Sequence, residues 1–162
     1  MKKIAFRRIR EDDNKAIAAI IRKNFEDYDL AIPGTAYFDP FLDQLSSFYD
    51  EDPEARAYFV AVDEDDRVLG GCGLGEVPTN DQWAELQKLY FADEIKGKGY
   101  GKEIIALIEK TAAEMGYKYV YIETHSKLET ALHLYSRVGY DIIEKPEFVG
   151  HGAMDYFFLK KI

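Results

Sequence analysis

Between Trp83 and Met115 the chain passes from an apolar strand pattern, through a glycine cluster, into an amphipathic helix pattern. No other stretch restricts the fold as much. Leu86 to Phe91 is rich in bulky and aromatic residues, which suit a buried, pleated strand. Ile104, Ile105, Ile108, Ala112 and Met115 then recur at helical spacing, with Lys102, Glu103, Glu109, Lys110 and Glu114 on the remaining face. Gly97, Gly99 and Gly101 lie at the junction. Glycines there permit positive φ and close approach of a ligand, and the N–H groups of a helix start attract anions, above all phosphate. Lys96, Lys98 and Lys102 add positive charge at the same point, so the expected guest is a diphosphate.

Spacing separates the candidate diphosphates. A dinucleotide fingerprint, Gly-x-Gly-x-x-Gly, counted from Gly97 puts Lys102 where the last glycine belongs, although Glu123 would suit the ribose-binding acid. A nucleotide P-loop fails twice, with Lys96 in place of its first glycine and Glu103 where Ser or Thr is needed. The run Lys96-Gly97-Lys98-Gly99-Tyr100-Gly101 instead resembles motif A of the GNAT superfamily of acetyl-coenzyme A dependent N-acetyltransferases, (Gln/Arg)-x-x-Gly-x-(Gly/Ala). Lys96 departs from that pattern at its first position. Glu85 to Phe91 is similar to the family's fourth strand. The segment from Ala131 through Tyr135 to Gly139 and Tyr140 is similar to its later motif, A-x-x-L-Y-x-x-x-G-F. The match is firm from Trp83 to Tyr140 and loose before that.

The resemblance implies an α/β fold: a single GNAT domain over residues 1–162, with a mixed, mostly antiparallel sheet and a splayed central parallel strand pair flanked by helices. It implies acetyl-coenzyme A as cosubstrate, without a metal. The pantetheine arm would lie along Leu89, Tyr90 and Phe91, and the diphosphate on the amides of Lys96, Gly97, Lys98, Gly99, Tyr100, Gly101 and Lys102. Glu85 matches the general base found in part of the family, and Tyr135 the tyrosine near the coenzyme sulfur. Leu128 stands where the family often has Asn, so Ser126 is expected to take over that coenzyme contact. Tyr28, Tyr37 and Phe38, in the family's variable acceptor-shaping segment, and His125, at a strand end, are candidates for the acceptor wall.

Composition narrows the partners. The 162 residues, 47% hydrophobic and 14% aromatic, can bury a substantial core. A net charge of −9 argues against nucleic acid and suits a cationic acceptor, whether a small amine or a peptide. No apolar run reaches bilayer length and no signal-like core forms before Arg7, so no membrane association and a cytoplasmic location are expected. Cys72, alone, excludes an internal disulfide, and no pair of His residues has metal-ligand spacing. A homodimer is left open. Two other readings of the cleft remain: a coenzyme A-binding regulatory module without turnover, and a nucleotide-cofactor oxidoreductase.

Elsewhere the pattern predicts a strand over 4–9, a helix carrying Ile17, Ile20, Ile21 and Phe25 capped by Asp12 or Asp13, and a short helix around Phe41 to Tyr49. It predicts a hairpin of 57–62 with 67–77 turning at Asp63 to Asp66, in which Gly70, Gly71, Gly73 and Gly75 mark a bulge or a close backbone approach. A strand over 118–125, a helix over 128–138 and strands at 140–143 and 154–159 complete the order.

Overall fold

The computed structural model describes residues 3–162. In chain order its elements are β1 (Ala5–Arg8), α1 (Asn14–Asp27), α2 (Leu45–Asp50), β2 (Ala57–Val62), β3 (Val68–Val77), β4 (Asn80–Phe91), α3 (Tyr100–Glu114), β5 (Tyr119–Thr124), α4 (Glu129–Arg137), β6 (Asp141–Ile142) and β7 (Tyr156–Lys161). The seven strands form one sheet in the order β1-β2-β3-β4-β5-β7-β6. All neighbours are antiparallel except β4 and β5. Each sheet face carries its own core. Ile17, Ile21 and Phe25 of α1 and Leu45 of α2 pack with Tyr58 and Val60, whereas Ile104, Ile105 and Ile108 of α3 pack with Cys72, Leu86, Val120 and Ile122. Strand β2, buried at every position, is therefore apolar throughout instead of alternating.

The parallel pair is short. Strands β4 and β5 pair only at Trp83, Ala84 and Glu85 against Tyr119, Val120 and Tyr121, and from Leu86 onward β4 leaves its neighbour. A bulge accompanies the departure. Gly71 faces Tyr90 and Gly73 faces Gln87, so both Lys88 and Leu89 stand opposite Cys72, and Lys88 takes φ 51°.

The glycines of β3 explain how the bulge is held. The Tyr58 ring crosses β3 where Gly71 and Gly73 leave room, and its hydroxyl donates to the Lys88 carbonyl at 2.8 Å. This bulge lies on the partner strand, and a second lies on β3 itself, where Ala61 faces Gly70 and Val62 faces Val68 so that Leu69 is the extra residue. Over Gly71 and Gly73 the closest group is the Tyr58 ring, whereas a Cβ at Gly70 would meet the β4 backbone at Tyr90 and Phe91, the close approach expected from sequence. Asp13 also differs from expectation. Its carboxylate caps no amide of α1 but accepts from the Arg10 N–H at 2.7 Å and from both terminal nitrogens of Arg7. Among the described residues no helix is long and apolar enough to cross a membrane.

A Cβ added at Gly71 would sit 2.4 Å from the Tyr58 ring and 2.7 Å from the Phe59 carbonyl oxygen. Gly71→Ala is expected to lower stability by about 1–3 kcal/mol, the usual cost of overpacking. The midpoint of urea unfolding checks this.

Candidate active site

The divergence of β4 from β5 opens a cleft of about 840 Å³. Its floor is the freed part of β4, with Leu86, Lys88, Leu89, Tyr90 and Phe91, and its far wall is Ile122 to Thr124 of β5. Backbone groups along an unpaired strand edge are donors and acceptors without a sheet partner, so an extended amide-bearing chain can add there as a strand. At one end lie Lys96, Gly97, Gly99, Gly101 and Lys102, where α3 begins. Gly99 precedes that helix in the left-handed region, at φ 88°, a conformation that L side chains rarely adopt. Gly101 serves differently, since a Cβ there would meet Leu134 of α4 at 2.8 Å. Lys96 pairs with Asp93 at 2.9 Å and stands over the Tyr28 ring. Glycine-loop amides, a helix start and nearby lysines fit a diphosphate, and the free strand edge fits the amides of a pantetheine arm.

Tyr135 of α4 lines the same cleft, its ring packed edge-on against Tyr140 and Phe158. Burial pushes its phenol well above the ordinary value, so it stays protonated at every working pH.

A second cavity of about 440 Å³ adjoins the first on the other side of β4. Leu86, Lys88, Tyr90, Glu123 and Met154 line both. Glu85 belongs to the second cavity only. Its carboxylate accepts from the Gln87 amide at 2.8 Å, and the Gln87 carbonyl accepts from the Tyr49 hydroxyl at 2.7 Å. Burial first, and the nearby Glu123 charge second, push Glu85 up to about 7. A carboxyl at that value changes protonation near neutral pH, which suits a general base.

Side chains from distant segments close this cavity. Glu123, only 3% exposed, accepts from the Tyr121 hydroxyl at 3.0 Å and from the backbone N–H groups of Gly150 and His151 at 3.0 and 3.1 Å. This fastens the 148–152 loop to the end of β5. The His151 ring then meets Asp39 at 3.0 Å, and Asp39 meets the ammonium of Lys88 at 2.7 Å. Burial alone would raise Asp39, but the His151 hydrogen bond and the Lys88 charge together hold it low. The Asp39 contact raises His151 in turn. A backbone bond from Ala153 to the Gly34 carbonyl, 3.0 Å, joins the same two loops.

Residues singled out in sequence fall into two groups. Leu89, Tyr90, Phe91, Lys96, Gly97, Gly99, Tyr100, Gly101, Lys102 and Tyr135 line the larger cleft, and Glu85 lies across β4 from it. Lys98 is exposed and is not among the cleft-lining residues. Tyr28 lines the larger cleft and not the smaller cavity, while Tyr37, Phe38 and His125 line neither. Ser126 does not reach the cleft either, because its hydroxyl and backbone N–H both bind Asp155 at 2.8 Å. Leu128, Thr130 and Ala131 line that region instead. Sequence reasoning missed Asp39, Gln87 and Lys88 altogether, weighed Glu123 only as a ribose ligand, and placed His151 in a loop that could fold over the site without giving it a role. The one legible hint for Glu123 was an acid at an otherwise apolar strand's end.

Comparisons with known proteins agree with this geometry. The acetyltransferase (GNAT) family matches residues 11–140. The uncharacterized N-acetyltransferase YjgM of Escherichia coli (strain K12) is 37% identical over 140 residues, covering 85% of this chain and 82% of that protein. A GNAT acetyltransferase from Staphylococcus aureus MU50 has the same fold, with a TM-score of 0.86 at 16% identity over 98% of this chain and 99% of that one. The PaiA N-acetyltransferase of Thermoplasma acidophilum, solved in complex with coenzyme A, gives 0.77 at 17% identity, covering 99% of each chain. By family match and by its curated relative, the chain belongs to the GNAT acetyltransferase family and is an acyltransferase of the N-acetyltransferase class.

Proposed function

We propose that this protein transfers the acetyl group of acetyl-coenzyme A directly to a primary amine, with the larger cleft holding the donor and the smaller cavity the acceptor. The observation that carries the reading is the meeting of the two spaces at Lys88 and Tyr90, beside a carboxyl raised to about 7. Coenzyme A bound to the Thermoplasma relative of the same fold supports the choice of donor.

In this reading the amides of Lys96 to Lys102 hold the diphosphate, as anion sites at helix starts do. The freed edge of β4 from Leu89 to Phe91 aligns the arm, and an amide there donates to the thioester oxygen as charge develops on it. Glu85, directly or through one water, takes a proton from the incoming ammonium so that a neutral amine attacks. Tyr135 donates to the departing sulfur. A phenol is the weaker acid than a thiol, so its first contribution is a hydrogen bond that stabilises the thiolate. Two other classes compete: a coenzyme A-binding module without turnover would bind but release no thiol, and a dinucleotide oxidoreductase would be stabilised by a nicotinamide dinucleotide in preference to coenzyme A.

Three outcomes are expected. With an amine acceptor, kcat/KM rises through pH 7 and levels off above it, following deprotonation of Glu85. Glu85→Gln abolishes that rise and lowers the plateau about 100-fold or more. Steady-state thiol release measured from pH 5.5 to 9 decides between this profile and a flat one.

Tyr135→Phe is expected to lower kcat about 10–100-fold, with little effect on the dissociation constant of coenzyme A, because the hydroxyl acts on charge formed during reaction. Equal loss in affinity and turnover would make Tyr135 a packing residue instead.

The raised carboxyl also has a stability signature. The folded chain keeps the Glu85 proton to about pH 7 and the unfolded chain releases it near 4.5, so stability falls as pH rises between those values and stays low above them. Glu85→Gln removes the effect. It should therefore be more stable than the parent at pH 8 by up to about 3 kcal/mol, with the gain shrinking toward pH 4.5. Urea unfolding at pH 5 and pH 8 tests the sign.

A further inference from the structure

The smaller cavity carries enough chemistry to narrow its guest. Four carboxylates line it, Asp39, Glu76, Glu85 and Glu123, against three basic side chains, Arg56, Lys88 and His151. Each base is already matched. The Arg56 guanidinium meets both oxygens of Glu76 at 3.0 Å from Nε and one of them at 2.6 Å from Nη2, and its Nη1 donates to the Phe48 carbonyl at 2.9 Å. Lys88 and His151 are both held by Asp39, at 2.7 and 3.0 Å. Two of the carboxylates are not matched in return. Glu85 receives only the Gln87 amide, and Glu123 receives a hydroxyl and two backbone N–H groups, with the His151 ring no closer than 3.8 Å.

The walls between these charges are aromatic. Phe41 and Phe48 stack at 4.2 Å between ring centroids. Arg56 lies over the outer face of Phe48 at 4.2 Å, and Lys88 approaches Phe41 at 4.8 Å. Phe148 closes the other side, packed against Trp83 and Tyr121. The cations are thus committed to carboxylates and ring faces, and ring edges and apolar surface remain for a guest.

We propose that the acceptor is an amine with a single positive charge, whose body is aromatic or otherwise apolar and bears no carboxylate on the part that enters the cavity. The inference rests on the acceptor role given above to this cavity. An ammonium finds Glu85 and Glu123, which among the described residues have no cation closer than the His151 ring, 3.8 Å from Glu123. A carboxylate on the same molecule finds the same two acids and, among the described residues, no uncommitted cation; four carboxylates against three bases leave one negative charge over, which a second ammonium would exceed.

2-Phenylethylamine and phenylalanine differ only by a carboxylate, and spermidine supplies extra charge without a ring. Calorimetric titration of the protein in buffer containing coenzyme A, paired with thiol release from acetyl-coenzyme A, reads both binding and turnover. The expected result is at least about 100-fold tighter binding of phenylethylamine than of phenylalanine, and about tenfold tighter than of spermidine. In Glu76→Gln, Arg56 loses its close partner and keeps only the exposed Glu51 at 3.5 Å, so it can meet a guest carboxylate and the preference over phenylalanine shrinks at least about tenfold. Phenylalanine or spermidine binding as tightly as phenylethylamine, no binding of phenylethylamine, or an unchanged preference in Glu76→Gln would each overturn the inference. The expected preference without thiol release leaves it standing and overturns the acetyl-transfer reading. Thiol release without the preference does the reverse.

Discussion

A single hydrogen bond across an intervening strand, from the Tyr58 hydroxyl to the Lys88 carbonyl, holds the sheet in the shape from which the two cavities follow. It can form only because β3 offers no side chains at Gly71 and Gly73, over which the ring lies. At its far end the carbonyl belongs to a bulge, where a non-glycine residue in the left-handed region costs about 1 kcal/mol or more. The cost is offset locally: the same Lys88 forms a buried ion pair with Asp39 and faces the Phe41 ring. Past this point β4 no longer runs beside β5, and the gap between them becomes a place for a ligand.

The bulge also divides labour along one strand. Upstream of it, Glu85 and Gln87 face the smaller cavity, supported by Tyr49 from α2. Downstream, Leu89 and Phe91 face the larger one, while Lys88 and Tyr90 touch both. Glu85 gains a proton affinity near neutral pH from the same withdrawal from water that makes its ionised form costly to the fold. The raised proton affinity and the cost to the fold have one cause, the burial of the carboxyl.

The part of the larger cleft that runs from β4 into α3 was legible in sequence because it is local. Residues 85–102 form one continuous strand, loop and helix start, and the strand pattern, the glycines and the helical stripe are all short-range signals. The parallel pair and helix order followed from the same periodicities. The smaller cavity was not legible, because its contacts join positions that no periodicity links. Asp39 and His151 stand 112 residues apart and meet only after the sheet has brought both loops to the end of β4. The partner of Ser126 was illegible for a related reason: the carboxylate that binds it, Asp155, comes from the approach to β7. The β3 glycines were read correctly as marking a bulge or close approach: β4 backbone comes close at Gly70, but at Gly71 and Gly73 what approaches is a side chain from β2, which local pattern cannot name.

The His151 and Asp39 contact has a consequence in time. During synthesis the strand, glycine loop and helix that flank the larger cleft leave the ribosome together, well ahead of residue 151. The smaller cavity lacks one wall until the 148–152 loop and β7 have been made and have joined the sheet. A nascent chain can therefore assemble much of the larger cleft before the smaller cavity is enclosed, and the two spaces adjoin in full only as the C-terminal segment docks.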